Sequence, residues 1–278
     1  MILALSLGGC GGPSAEPSAA PSPGGPAARV LVFTRTAGYR HESIPAGIDA
    51  VRELGATGGY TVDATEDPGA FRASNLARYR AVVFLSTSGD VLDETGKRDL
   101  EEYVRGGGGY VGVHAASTTE YGWPFYGELV GAWFARHPAI QPGRIVVEDR
   151  THPATAHLDT TWSRTDEWYD FRTNPRGRVH VLLTVDESSY SGGGMGRDHP
   201  IAWCHAVGTG RAFYTALGHA VESFAEPAFR DHLRGAIRWA ARLLPARCAD
   251  ESPAAAATGL SLPGPGEAPD FHFYSGNE

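Results

Sequence analysis

The fold is decided by one stretch of this chain, Gly106-Gly107-Gly108-Gly109-Tyr110-Val111-Gly112-Val113-His114-Ala115-Ala116-Ser117. Glycines end one helix, an apolar strand follows, and His114 stands where that strand is expected to turn sharply into the next helix. Such a strained turn lifts one side chain above the end of a sheet, a place where several hydrolase folds carry a nucleophile. An imidazole there is a base, an acid or a metal ligand. The alternative is a buried histidine satisfied by a backbone partner.

Strands and helices alternate on the N-terminal side of this turn. Short apolar runs predict strands at 29–34, 60–65, 81–86 and 110–113. Helices are predicted between them, at about 44–54 and from the cap Asp93 to Arg105. Because strands that alternate with helices form parallel sheets with right-handed crossovers, the fold class is α/β, with a mostly parallel sheet flanked by helices.

The pattern changes after the turn. An aromatic-rich helix is predicted at 123–134, strands at 144–148 and 179–185, an antiparallel hairpin at 201–217, and a closing amphipathic helix at 227–244. The late hairpin adds antiparallel strands to an otherwise parallel sheet. Residues 29–244 therefore read as a single domain.

Composition excludes some classes of function. The net charge is −8 and there is no block of lysine or arginine, so nucleic acid is not expected as a partner. The three cysteines, Cys10, Cys204 and Cys248, match no zinc spacing and no disulfide framework. Cys204 is most simply a small core residue, although a Cys204–Cys248 disulfide remains open in an exported protein.

The N-terminus resembles a bacterial lipoprotein signal. A short apolar run ends in Gly8-Gly9-Cys10, and a Ser/Pro/Ala/Gly-rich tether follows to residue 28. We expect an exported cell-envelope protein whose membrane contact is a lipid anchor at Cys10. The basic segment that normally begins such a signal is missing. Two alternatives therefore stay open: the recorded N-terminus is truncated, or the resemblance is accidental and the protein is cytoplasmic. Residues 245–278 are expected to be a disordered tail.

Several chemically active residues follow predicted strand ends. His41 lies after the first strand, His114 after the fourth, and His219 after the late hairpin, while a Ser/Thr/Gly loop follows the third strand. Ligands of open parallel sheets bind beyond the carboxyl ends of the strands. The sequence therefore predicts that these imidazoles meet in a single cleft.

An acid completes this predicted site. Glu167 lies in the run Asp166-Glu167-Trp168-Tyr169, where aromatic neighbours can raise the pKa of a carboxyl group; a solvated acidic turn is the alternative. The three imidazoles and Glu167 would suit zinc or a similar divalent cation, but no compact metal motif supports this, and the cofactor stays open. Two His-Pro pairs, at His137 and His152, each hold the histidine in an extended segment.

Aromatic side chains are the candidates for binding a sugar. Tyr121 and Trp123 stand in a predicted loop beside Gly122 and Pro124, and Trp168 stands beside the acid. Their flat apolar faces suit sugar rings, and they suit a protein core equally well.

These pieces together resemble the ThuA-like (trehalose-utilisation) family. The resemblance covers about 29–242 and rests on an ordered series of segments: 109–116, 134–138, 152–155, 166–169, 199–205 and 210–219. It implies a flavodoxin-like sheet of the class I glutamine amidotransferase type. Amidotransferases of this fold carry a cysteine at the sharp turn and a downstream His-Glu pair. This chain has His114 at the turn and no acid adjacent to His219, so it is not expected to be a cysteine-dependent glutamine amidotransferase.

The resemblance also implies a carbohydrate ligand, since the family is linked to the use of trehalose and related disaccharides. We expect a protein that hydrolyses or isomerises a disaccharide, glycoside or keto-sugar by acid–base chemistry. His114, His219 and Glu167 are the predicted catalytic residues, and His41, Tyr121, Trp123 and Trp168 the predicted substrate-binding residues. The alternative is a non-catalytic sugar-binding or scaffold module on a degenerate amidotransferase fold. A cysteine hydrolase using Cys204 is disfavoured, and the oligomeric state stays open.

Overall fold

A computed structural model describes residues 27–244 and residue 248 of the chain. The predicted lipoprotein signal with Cys10, nearly all of the tether and, except for Cys248, the predicted tail lie outside the described residues. Among the described residues, no helix is both long enough and apolar enough to cross a bilayer.

The sheet and its helices form in the order that the sequence predicts. The strands are β1 (Ala28–Phe33), β2 (Tyr60–Thr65), β3 (Ala81–Leu85), β4 (Ser88–Gly89), β5 (Gly109–Val113), β6 (Thr118–Thr119), β7 (Phe134–Arg136), β8 (Gln141–Val147), β9 (Thr161–Asp166), β10 (Asp170–Phe171), β11 (His180–Asp186), β12 (Pro200–Val207) and β13 (Gly210–Thr215). The α-helices are α1 (Ile44–Gly58), α2 (Ala73–Leu76), α3 (Glu94–Arg105), α4 (Pro124–Val130) and α5 (Pro227–Ala240).

Nine strands form one sheet in the order β2-β1-β3-β5-β13-β12-β11-β8-β9. The first five are parallel, and in chain order they follow the 2-1-3-4-5 arrangement of flavodoxin-like sheets. The last four pair in antiparallel fashion. The α/β fold class is therefore confirmed, and the predicted late hairpin is the beginning of a larger antiparallel extension.

Helices cover both faces of the parallel strands. Gly109 of β5 lies directly against Ala240 of α5, whereas Gly210 of β13 lies against Val104 of α3. Since Gly109 pairs with Arg211, the neighbouring Gly210 points to the opposite face of the sheet. Helices α3 and α5 thus enclose β5 from opposite sides, and β5 is buried along its whole length.

Three sequence predictions need correction. The helix expected at 123–134 ends at Val130, because Gly131 adopts a left-handed conformation with φ 87° and the chain then enters β7. The closing helix ends at Ala240 instead of 244. Strand β9 was not predicted, because its buried positions are Trp162, Arg164 and Asp166, and two of those three are charged.

The disulfide that the sequence left open is present. Cys204 of β12 is bonded to Cys248, and both are buried. Cys204 is therefore both a core residue and the anchor for the chain beyond α5.

Candidate metal-binding and catalytic site

His114 begins a sharp turn directly after β5. Its backbone is left-handed, with φ 51°, a conformation that costs a non-glycine residue free energy and often marks a functional site. The turn continues as a short 3-10 helix at His114–Ser117 and not as the expected α-helix. The hydroxyl of Tyr214 on β13 holds the turn by donating to the carbonyl oxygen of His114 at 2.9 Å.

The ring of His114 is fixed in one orientation. Its Nδ1 lies 2.7 Å from the carbonyl oxygen of Ala216, and a carbonyl can only accept, so Nδ1 carries a proton. In the neutral ring the lone pair is then on Nε2. Because the residue is fully buried, that lone pair points at protein atoms and not at bulk water.

The structure brings His41, His114, Glu167 and His219 together. One ligand atom from each of the four lies within 4.8 Å of all the others. Nε2 of His114 is 3.0 Å from Nε2 of His41 and 3.3 Å from Oε2 of Glu167. The same carboxylate oxygen is 3.1 Å from Nδ1 of His219 and 4.0 Å from Nε2 of His41.

These separations match a coordination shell. Ligand atoms about 2.05 Å from a tetrahedral zinc ion lie about 3.3 Å from one another. The measured distances of 3.0 to 4.0 Å bracket that value. Three imidazoles and one carboxylate are also a ligand set that zinc and similar cations accept. We call His41, His114, Glu167 and His219 the His3Glu cluster.

Burial and mutual contact perturb the pKa values within the cluster. Burial lowers the pKa of His41 to about 4, although the neighbouring carboxylate of Glu167 acts in the opposite direction. Burial opposes ionisation of Glu167, but its contacts with the surrounding imidazoles of His114, His219 and His41 outweigh it and lower the pKa of that carboxyl. The hydrogen bond to Glu167 raises the pKa of His219. The carboxylate is therefore charged, and His41 is held neutral as a ligand must be.

Two neighbours of the cluster were not among the predicted site residues. The hydroxyl of Tyr169 lies 3.0 Å from Nε2 of His114, and its ring stacks on the imidazole with centroids 4.5 Å apart. Nε2 of His137 lies 3.1 Å from Oε1 of Glu167, the carboxylate oxygen that faces away from the other imidazoles. The His-Pro signal pointed to His137, whereas His152, which also precedes a proline, is fully buried in the core.

Asp166 holds the segment that carries His219. Its carboxylate accepts from the backbone N–H groups of Gly218, at 3.1 Å, and His219, at 3.2 Å. The guanidinium of Arg164 lies 3.0 Å from the same carboxylate, and both side chains are buried. The two backbone hydrogen bonds connect the end of β9 to the segment after β13 and set the position of His219, and the ion pair with Arg164 holds the Asp166 carboxylate in place.

A second group of possible ligands, Asp170, Glu187 and His199, serves a structural role. Nδ1 of His199 lies 2.8 Å from Glu187, and Nε2 lies 2.8 Å from the carbonyl oxygen of Tyr169. Both ring nitrogens therefore already have hydrogen-bond partners within the protein, Nδ1 also meeting the hydroxyl of Tyr190 at 3.0 Å. The group fixes the backbone of Tyr169, whose hydroxyl contacts the His3Glu cluster.

The predicted sugar-binding aromatics lie apart from the cluster. Trp168 is 1% exposed and its indole donates to the carbonyl oxygen of Gln141, so the expectation that it stacks on a sugar is corrected: it is a core residue. Tyr121 is covered by the guanidinium of Arg172, 4.0 Å from its ring centre. Trp123 is half-buried and packs on Phe125.

Solvent reaches the cluster from one side. His114 is fully buried and the side chains of His41 and Glu167 are at most 8% exposed, whereas His219 is 19% and His137 39% exposed. His219 also borders a groove of about 530 Å³ between β9 and residues 220–226. The open side of the site is thus formed by His137, His219 and this groove.

Comparisons with known proteins give the family and the fold. The ThuA family model, described as trehalose utilisation, matches residues 29–240. Among curated proteins, no relative matches the sequence. A ThuA-like protein from Bacteroides uniformis ATCC 8492 is similar in structure, with a TM-score of 0.67 and 24% identity over 80% of this chain and 94% of that one.

Two further solved structures share the fold. A ThuA-like protein from Parabacteroides merdae ATCC 43184 has a TM-score of 0.65 and 22% identity over 78% of this chain and 90% of its own. A cytoplasmic protein of Salmonella typhimurium has a TM-score of 0.53 and 11% identity over 77% of this chain and 98% of its own.

Proposed function

This chain belongs to the ThuA (trehalose utilisation) family, and from that premise we propose that it is a metal-dependent enzyme that hydrolyses or isomerises a disaccharide, glycoside or keto-sugar. One observation carries the proposal. Three imidazoles and a carboxylate present four ligand atoms within 4.8 Å of one another at the carboxyl end of the parallel strands. That is where open α/β sheets bind their ligands.

The burial of His114 favours a metal ligand over a direct proton carrier. Its Nδ1–H is engaged by Ala216, and its Nε2 faces His41, Glu167 and the hydroxyl of Tyr169. A general base must reach the proton that it removes, and a fully buried ring enclosed by protein cannot do so. Of the base and ligand roles expected for His114, this supports the ligand role, which we propose it shares with His41, Glu167 and His219.

A bound divalent cation would polarise a carbonyl or hydroxyl oxygen of the substrate. The proton is best handled by His137, which lies on the solvent side of the cluster. Its Nδ1 faces the carbonyl oxygen of Pro138 at 2.8 Å, and its Nε2 faces Glu167 at 3.1 Å. Both partners are acceptors, so either ring nitrogen can donate, and the half-exposed ring is placed to exchange a proton with a leaving group.

An exported location fits the same proposal. The Cys204–Cys248 disulfide is typical of oxidising compartments outside the cytosol. Together with the segment that resembles a lipoprotein signal and ends in Cys10, the disulfide supports a protein of the cell envelope that binds its carbohydrate outside the cytoplasm.

Metal binding is tested with purified full-length chain. Zinc, manganese and cobalt are titrated into chelator-treated protein by calorimetry, and bound metal is counted by elemental mass spectrometry. We expect one ion per chain, and at least about tenfold weaker binding for Glu167→Gln and His219→Ala. The matched control is His205→Gln, because His205 pairs with Ala212 near the opposite end of β13.

Turnover is tested by incubating glycosides and keto-sugars with the enzyme, with and without chelator, and identifying products by mass spectrometry. The proposal expects a product that disappears with chelator and with Glu167→Gln and persists in His205→Gln. Turnover that survives chelation would contradict metal dependence. Saturable sugar binding with no turnover for any loaded metal would favour the non-catalytic binding module.

A further inference from the structure

The groove beside His219 has the size and shape of a small-molecule site. Its volume of about 530 Å³ lies in the range typical of ligand pockets. It runs along β9, which is the last strand of the nine-stranded sheet and has no neighbour on its outer side among the described strands. Because His219 belongs to both, the groove opens directly beside the His3Glu cluster.

The floor of the groove is rigid and its positive charge is already satisfied. Arg164 is buried, with its guanidinium over the rings of Trp162 and Phe229 at 4.8 and 4.9 Å. It lies 3.0 Å from Asp166 and 3.1 Å from Glu226. Two carboxylates thus surround the single guanidinium, which leaves it no excess charge for an anionic ligand.

The rest of the lining is acidic, hydroxylic or apolar. Glu222 is exposed at the rim, and Ser163 and Thr165 are exposed on β9. Ile140 is 50% exposed and supplies an apolar face. Among the described lining residues, no lysine and no second arginine is present, so three carboxylates stand against one guanidinium.

We propose that this groove binds the part of an uncharged, polyhydroxylated ligand that extends away from the His3Glu cluster, and that it disfavours phosphorylated or carboxylated sugars. Carboxylates and hydroxyls accept and exchange hydrogen bonds with sugar hydroxyls, and Ile140 can cover a C–H face. A phosphate in the groove, by contrast, would meet an excess of carboxylates, and the described lining residues include no lysine and no second arginine to pair with it. The inference rests on the proposed function, since it places the substrate of that site.

The test compares trehalose with trehalose 6-phosphate as probes, by calorimetry on the purified zinc-loaded chain. We expect trehalose to bind at least about tenfold more tightly at low salt, with the difference reduced at high salt, since charge repulsion is screened. Glu222→Lys introduces a cation at the rim and is expected to shrink this ratio by about tenfold or more. The control is Glu102→Lys, which makes the same charge change at an exposed position of α3 outside the groove.

Each outcome bears on the inference. Equal affinity for the two probes, or an unchanged ratio in Glu222→Lys, would overturn the groove assignment while leaving the metal site intact. Equal effects of Glu222→Lys and Glu102→Lys would also overturn it, since they would show a response to net charge alone. If neither probe binds, the groove assignment is wrong, and the metal titration of the same sample shows separately whether the proposed function also fails.

Discussion

Breaking the Cys204–Cys248 disulfide should destabilise the protein without dismantling the His3Glu cluster. The bonded cysteines are 44 residues apart, and the enclosed segment contains β13, His219 and α5. Closing a loop of that length removes chain entropy from the unfolded state worth about 4 kcal/mol at 25 °C. For a domain of this size, each kcal/mol shifts the melting temperature by about 2–4 °C, so Cys248→Ser should melt roughly 8–16 °C lower.

The variant is chosen so that packing does not dominate the result. Cys204 is fully buried and a hydroxyl there would add a desolvation cost, so Cys248 is the better position to replace. Urea and thermal unfolding are compared for wild type, Cys248→Ser and Cys10→Ser, the last removing the third cysteine. Zinc affinity at 25 °C should be unchanged in all three. A Cys248→Ser midpoint equal to that of wild type would refute the reasoning, as would a matching loss in Cys10→Ser.

Three further predictions concern two residues that hold the site in place and the stability of the protein at low pH. Tyr214→Phe should lower the free energy of unfolding by about 1–3 kcal/mol, measured by urea denaturation, because the carbonyl oxygen of His114 loses its buried donor. Asp166→Asn should lower the free energy of unfolding by about 3 kcal/mol and weaken zinc binding, because the N–H of His219 loses a charged acceptor and the buried ion pair with Arg164 is broken. Unchanged zinc affinity would refute the role of Asp166 in positioning His219. Burial raises the pKa of Asp149, but hydrogen bonds outweigh it and lower that pKa to about 2. The stabilisation that the Asp149 carboxylate gives the fold is therefore complete above the unfolded-state pKa of about 4 and is lost as pH falls to about 2. The free energy of unfolding of Asp149→Asn, measured by acid titration, should fall less steeply over that interval than that of the wild type.

The parallel half of the fold follows from the sequence because its signals are local. Strands β1, β3 and β5 are apolar runs that the sheet buries, and the side chain of Asp93 caps α3 by accepting from Gly96 N–H. Each of these features is decided by neighbours within a few residues. The antiparallel half is harder, because β9 buries Arg164 and Asp166, and their further partners lie more than 50 residues along the chain: Glu226 for Arg164 and the Gly218 and His219 N–H groups for Asp166.

The candidate site also has features that local sequence signals predict and features that they do not. The convergence of His41, His114 and His219 could be predicted, because the carboxyl ends of parallel strands share one edge of a sheet. The roles of Trp168 and Tyr169 could not be separated, because they are adjacent in the chain and a one-residue difference decides which ring faces the core. Tyr169 stacks on His114, whereas Trp168 reaches the backbone of Gln141. The sequence identifies the acidic-aromatic segment as important but gives no signal for its orientation.

The arrangement of acceptors is the strongest physical argument for a cation in the His3Glu cluster. With the proton of His114 committed to Ala216 at Nδ1, its Nε2 lone pair faces Glu167 Oε2 at 3.3 Å and His41 Nε2 at 3.0 Å. Among the described residues, the ion-pair partners of Glu167 are imidazoles, with no lysine or arginine to balance its charge. The Tyr169 hydroxyl can donate to Nε2 of His114, and a ring proton of a neighbouring imidazole can reach Glu167, but each such proton satisfies one pair of atoms, whereas a divalent cation would contact all four ligand atoms at once and balance the carboxylate. Since a buried carboxylate without compensation is costly, the cluster should gain stability on binding metal, by about 2.7 kcal/mol when free metal is at 100 times its dissociation constant. At the same free metal, the tenfold weaker binding expected for Glu167→Gln should reduce that gain by about 1.3 kcal/mol or more.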